Sequence, residues 1–381
     1  MLLYGIDRIE QYLPLFRDGR VGLVTAVTGR SSANESTISI LQRLCRLSVL
    51  FGPEHGIRGD HDAGEPAGDS IDSKTGLAVY SLYGGDGRHL SPQMLKTFDV
   101  LVFDIQDVGL RFFTFLSTLY YVIQDCAASG KRLVVLDRPN PLGGRLVEGR
   151  LLQKEYRSFV GCRPLPVRYG LTLGEFALMV NQEEELHCDL HVIPCGGYRR
   201  EMFPDWGKIW QIPSPALSTF ESALLYAGTC IFEGTTLSEG RGTSAPFRMI
   251  GAPGVDAERL THAFCARHLP GVTATPYYFV PTASKHCGKL CGGLVLHVTD
   301  REKLRPVALG IELLDLFQGM YPEQSAFLQP AEGEHSFIAK LTGCGDFVPG
   351  WDKEAILDRY EEESLRFAER KRDYHLYEPG V

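Results

Sequence analysis

The residues of this 381-residue chain best suited to chemistry crowd into four loops rich in glycine and proline. The first reads Phe51-Gly52-Pro53-Glu54-His55-Gly56-Ile57-Arg58-Gly59, a tight turn that presents a carboxylate, an imidazole and a guanidinium together. The second runs from Asp104 through Gln106 and Asp107 to Arg111, and the third from Asp137 through Arg138 and Asn140 to Gly144. A fourth, Phe232 to Ser244, adds Glu233, Glu239 and Arg241 among small residues that leave backbone amides accessible. Planar amides and carboxylates read hydroxyls, and arginine holds a carboxylate bidentately, so this set suits a polyol substrate that carries a carboxylate. Structural networks also gather charge, and Asp104, Asp107, Arg111, Asp137 and Arg138 taken singly suit buried ion pairs equally well. Glu54 favours function, because its turn faces a cleft rather than a helix partner.

These loops need strands to carry them. Short β-rich apolar runs predict strands at 21–27, 47–51, 100–105, 133–136 and 188–193. Between them the pattern predicts helices at 37–46, after Ser91-Pro92, and from Thr114 to Ala128, where Gly130 suits the left-handed residue past a helix end. Thr172-Leu-Gly-Glu175 has capping-box spacing, which makes Glu175 a cap. A helix over 221–227 leads into the second half, with strands at 272–280 and 294–298 and helices at 307–319 and 354–370. Strands alternating with helices imply an α/β fold with an open, doubly wound, mostly parallel sheet. The change of pattern divides the chain near residue 230, into 1–230 and 231–381. In such a sheet ligands bind beyond the carboxyl ends of the strands, where the first three loops lie, and the fourth faces them from the domain junction.

Composition excludes several classes. A net charge of −8 disfavours nucleic acid, which needs a concentrated basic surface; the cluster Arg370 to Arg372 sits in a charge-mixed helical pattern and reads as a solvated face. No run approaches the roughly 18 apolar residues of a membrane span, and the N-terminus lacks the basic patch and apolar run of a signal peptide. Ten cysteines at irregular spacing read as buried thiols in a reducing compartment, the cytoplasm. Cys287 and Cys291 with His286 lack the second pair of a structural zinc site. Thr28-Gly29-Arg30 follows the first strand where a dinucleotide fingerprint would need its glycines, and no phosphate loop is present.

The motifs FGPEHGIRGD, DIQDVGLRFFTF, VLDRPNPLGG with VEG after it, YGLTLGEFA, PSP at 213–215 and GTCIFEGTTLSEGRGTSAPF resemble the NamZ-type exo-β-N-acetylmuramidase family, from about Gly5 to the closing FAERKRDYHLY. The resemblance implies a Rossmann-like domain followed by a smaller α+β C-terminal domain. It also implies hydrolysis that releases terminal N-acetylmuramic acid from the non-reducing end of a muropeptide or an N-acetylmuramic acid–N-acetylglucosamine disaccharide. The family's proposed catalytic glutamate corresponds to Glu54. His55, Arg58, Gln106, Asp107, Arg111, Asp137, Arg138, Asn140, Glu239 and Arg241 are expected to line the same cleft. Glycoside cleavage uses a carboxylic acid to protonate the leaving oxygen and a second group to attack or activate water; that second group is Glu239, Asp107 or the substrate's own acetamide. Arg111 or Arg241 is expected to bind the lactyl carboxylate. The scheme requires no metal or organic cofactor. Rival readings are a metal-assisted hydrolase using Asp104, Asp107 and Asp137, and a non-catalytic muropeptide-binding protein. The sequence departs from the family at Ala26-Val27, where Asn-Gln is usual, at Ala216, where Asn is usual, and at Arg150, where Pro is usual.

Overall fold

A computed structural model of the chain describes residues 1–17, 19–59, 68–84 and 88–377. The N-terminal part carries β1 (Val21–Thr25), α1 (Thr37–Leu44), β2 (Leu47–Gly52), β3 (Ser70–Ile71), β4 (Ala78–Ser81), α2 (Pro92–Leu95), β5 (Val100–Asp104), α3 (Phe115–Ser129), β6 (Arg132–Leu136), α4 (Leu173–Glu183) and β7 (Leu190–Ile193). Its strands form one sheet in the order β3-β4-β2-β1-β5-β6-β7, parallel except for β3 against β4. Strand order reverses at β1, with β2 on one side and β5 on the other, which is where an α/β sheet opens a crevice.

Side chains of successive strand residues point to opposite faces. Leu23, Leu50, Val102 and Val134 therefore pack on one face with α1 and the 3-10 helix Gly5–Phe16. Val24, Phe51, Phe103 and Val135 pack on the other with α3 and α4. Full burial of such a side chain is worth about 1.5–3 kcal/mol, so the two-sided pattern fixes register as well as stability. The helix ends follow local chemistry. Ser91 accepts from the Met94 N–H at 3.3 Å with Pro92 next in the chain. Gly130 ends α3 at φ 63°, and Thr172 and Glu175 form both halves of the expected capping box.

The C-terminal part begins with α5 (Phe220–Thr229) and continues through β8 (Met249–Ala252), α6 (Ala257–Cys265), β9 (Val272–Phe279), β10 (Cys291–Val298), α7 (Pro306–Met320), α8 (Phe337–Thr342) and α9 (Lys353–Arg370). Here the sheet is small and antiparallel, β8-β10-β9. Helix α5 meets α7 backbone to backbone: a Cβ on Gly228 would lie 1.7 Å from the Pro306 carbonyl oxygen, and one on Gly310 2.3 Å from that of Gly228. The apolar core runs without a break from Phe103 and Leu119 to Leu294, Phe317 and Phe367. The chain then returns to the first part, where Arg370 on α9 pairs with Glu183 and the Tyr377 hydroxyl donates to Asp137. Among the described residues no helix is long and apolar enough to cross a membrane.

Candidate active site

Strand β2 delivers the chain into the turn Pro53-Glu54-His55-Gly56, closed by a 2.9 Å bond from the Gly56 N–H to the Pro53 carbonyl. His55 sits at φ 72° and is buried, a conformation that costs a side-chain-bearing residue on the order of 1–3 kcal/mol and that clusters at functional sites. The turn holds Glu54 half-buried in the wall of a cleft of about 920 Å³. Two hydroxyls hold its carboxylate: Thr114 donates to Oε2 at 2.6 Å, and the Tyr83 phenol also bonds to it. Burial, and then the charge of Glu54, push the Tyr83 phenol up to about 12. Thr114 occupies the N-cap of α3 yet makes no cap bond, because its hydroxyl is turned to Glu54.

The loop after α5 lines the same cleft. Glu239 is buried, with Lys285 Nζ 2.7 Å from its Oε2. Arg241 Nε lies 2.9 Å from Glu233 Oε1 and 3.7 Å from Glu239 Oε1, and its guanidinium stacks 5.0 Å from the Phe247 ring centroid. Burial raises the Glu233 carboxyl above its usual range, Arg241 opposes that, and the charge of Glu239 adds to it. Glu54, His55, Glu239 and Arg241 all line this cleft, together with Tyr83, Arg88, Thr114, Glu233 and Lys285 and an apolar floor that includes Phe113 and Phe159.

The other expected cleft residues are placed elsewhere, each held by its own chain. Arg58 forks onto Asp72, with Nη2 2.8 Å from Oδ1, and faces a different hollow. Gln106 donates to the carbonyls of Asp107 and Pro139 at 2.9 Å each and lines a third hollow with Arg138. Arg138 is buried against Asp104, Nε to Oδ1 at 2.6 Å. Asn140 donates to the Leu171 carbonyl at 2.8 Å. Asp137 accepts from Thr172 at 2.7 Å, the Gly174 N–H at 2.8 Å and Tyr377. Burial raises its carboxyl to about 6 despite these donors. Asp107 is buried with one oxygen held by Tyr169 at 2.6 Å and the Gly109 N–H at 2.7 Å; its other oxygen has no hydrogen-bond partner among the described residues, and burial lifts the carboxyl to about 6 as well. Arg111 is fully buried and donates to the carbonyls of Arg150, Leu165 and Leu341 at 2.8, 2.7 and 2.7 Å; burial lowers its pKa to about 10. Arg111 was expected to reach a substrate carboxylate; here its terminal nitrogens are occupied by backbone carbonyls at the junction of the two parts.

The departures from the family pattern lie outside the cleft lining. Ala26 and Ala216 are buried in the core, and Arg150 pairs with Asp346 and, at 3.1 Å, with Glu363 on α9. Asp104, Asp107 and Asp137, the ligand set of the metal-assisted reading, are engaged with different partners. Among the described residues no three His, Cys, Asp or Glu side chains are gathered as a metal site. Sequence reasoning missed Tyr83, Arg88 and Lys285, which lie outside the four loops, and gave Thr114 only a helix start; its hydroxyl at a cap position was the available signal.

Comparison with known proteins gives one answer over the whole chain. The N-terminal domain of the exo-beta-N-acetylmuramidase NamZ family matches residues 21–221 and its C-terminal domain residues 224–377. The peptidoglycan beta-N-acetylmuramidase NamZ of Bacillus subtilis (strain 168) is 41% identical over 98% of this chain and 91% of its own length. Two crystal structures of DUF1343 family proteins from Bacteroides fragilis NCTC 9343 share the fold. One has a TM-score of 0.91 at 34% identity, covering 99% of each chain; the other has 0.78 at 31%, covering 100% of each. With both family domains matched in order and Glu54 presented by the motif that carries the resemblance, this chain belongs to the exo-β-N-acetylmuramidase NamZ family.

Proposed function

We propose that this chain is an exo-acting glycoside hydrolase that releases terminal N-acetylmuramic acid from the non-reducing end of peptidoglycan fragments, with Glu54 as its key carboxyl group. The observation that carries the reading is one cleft lined by both Glu54 and Glu239. Cleavage of a glycosidic bond uses two such groups, one handling the proton of the leaving oxygen and one acting on the anomeric carbon or on water. A volume of about 920 Å³ suits an oligosaccharide end. Thr114 and Tyr83 fix the orientation of Glu54, and Lys285 and Arg241 fix that of Glu239. The division near residue 230 then puts one carboxyl in each domain. Asp107 lies outside the lining, so the second group is Glu239 or the substrate's acetamide. The activity of the Bacillus subtilis relative, on peptidoglycan, agrees with this substrate class. Ten unpaired cysteines support a cytoplasmic location, which cell fractionation checks.

The deciding experiment measures release of free N-acetylmuramic acid from its β-linked disaccharide with N-acetylglucosamine, by wild type and Glu54→Gln. Positioned acid–base groups contribute about 10²–10⁴-fold, so the variant is expected to lose at least about a hundredfold in kcat. Folded wild-type protein without turnover sinks the hydrolase reading in favour of a binding protein.

A further inference from the structure

We infer that Arg88 reads a carboxylate on the substrate and so selects acidic amino sugars over neutral ones, an inference that rests on the glycosidase reading above. Among the described residues, the cleft is lined by three cations, Arg88, Arg241 and Lys285. Arg241 is tied to Glu233 and Glu239. Lys285 is tied to Glu239 and to the carbonyls of Phe232 and Thr235 at 2.7 and 3.0 Å. Those two cations and two carboxylates balance one another. Arg88 lines the same cleft, and among the described residues it makes no ion pair or side-chain hydrogen bond. Its guanidinium lies 4.8 Å from the centroid of the Phe159 ring.

That seat is built. Phe159 stacks on Tyr121 at 6.1 Å with 7° between the planes and leans on Tyr83 at 5.6 Å. Tyr83 bonds to Glu54, and Arg88 is close enough to pull the Tyr83 phenol back down against its upward shift. Three rings therefore position a cation beside the key carboxyl group. A stacked guanidinium keeps its edge free, and that edge carries N–H donors in the planar fork that matches a carboxylate. Arg88 is exposed, so its pairing stays hydrated and modest. About two- to fivefold is the discrimination an exposed pair of this kind supplies. The carboxylate has two possible sources. It is the lactyl group of unsubstituted N-acetylmuramic acid, or a stem-peptide carboxylate where the lactyl group is already amide-linked.

The test compares kcat/KM of wild type, Arg88→Ala and Arg88→Lys on three β-1,4 disaccharides ending in N-acetylmuramic acid. One has a free lactyl carboxylate, one a lactyl methylamide, and one an L-Ala-D-Glu stem. The expected result is that the acid-to-amide ratio of wild type falls about two- to fivefold in Arg88→Ala and partly recovers in Arg88→Lys. A fall in the stem-to-amide ratio instead assigns the contact to the peptide. Equal losses on all three substrates, or no change in either ratio, overturn the inference. If folded wild type turns over none of them, the hydrolase reading fails and Arg88 is judged by calorimetry. Tighter binding of free N-acetylmuramic acid than of its lactyl amide, lost in Arg88→Ala, supports the assignment; equal binding overturns it.

Discussion

Thr114 stands where a helix start calls for a capping hydroxyl, and its hydroxyl is 2.6 Å from Glu54 instead. A cap is worth about 1 kcal/mol, whereas a hydrogen bond to a charged group is worth about 1.5–3 kcal/mol, so the exchange places the stronger bond at the site. The consequence is testable. Thr114→Val removes the bond to Glu54 while giving up no cap, so kcat/KM is expected to fall about tenfold or more, with a stability loss of at most about 3 kcal/mol. Thr114→Ser should restore most of the activity. A variant that melts earlier yet turns over normally would place Thr114 in the framework of α3 rather than in the site. His55 shows the same local conflict, an imidazole held at φ 72° where glycine would be the easy choice.

At the scale of elements, the sheet was legible because strand signals are local. The expected strands at 21–27, 47–51, 100–105 and 133–136 end within about two residues of β1, β2, β5 and β6, as apolar runs bounded by turn residues should. Capping at Ser91, Thr172 and Gly130 was legible for the same reason. The helix Gly5–Phe16 was not, since it carries a proline inside at Pro14 and adopts 3-10 geometry, and the two-residue β3 is too short for a period to register. Site residues divided along a similar line. Glu54 and Glu239 could be picked from their loops, but the loops also contain arginines and aspartates whose partners are far away in sequence. Arg111 bonds to carbonyls at 150, 165 and 341, and Asp137 receives Tyr377 from the last described turn. No spacing rule reaches that far. Arg111 separates the two readings experimentally. As a bolt between the second loop and α8, its replacement by leucine strands three buried carbonyls, at about 1–3 kcal/mol each. Denaturant unfolding should therefore show a loss of about 3 kcal/mol or more, with KM per folded molecule within about twofold of wild type. A raised KM at undiminished stability would return Arg111 to the substrate.

The molecule as a whole joins its two sheets through one continuous apolar core, so the cleft between Glu54 and Glu239 is set by packing and not by a hinge of loosely tethered domains. Rigid packing also traps ionisable groups, and this makes stability depend on pH in a predictable direction. Burial raises both Asp107 and Asp137 from 3.8 to about 6. For a carboxyl whose folded value is raised, the native state binds the extra proton between the two values. Its contribution is complete below about 3.8 and is lost as pH rises through about 6. A shift of this size corresponds to about 3 kcal/mol per group at neutral pH. Asp107→Asn removes one such group while its amide oxygen still accepts from Tyr169 and the Gly109 N–H, and its NH2 occupies the place of the unpartnered oxygen. Comparing variant with wild type cancels the opposing contribution of carboxylates such as Asp99, which the Arg20 contacts hold down at about 2. Urea unfolding at pH 4 and at pH 7.5 should therefore show the variant gaining on wild type by about 2 kcal/mol between the two conditions. A difference that stays flat with pH would mean that Asp107 is ionised in the folded protein across this range and that its loop draws a compensating charge or water in solution.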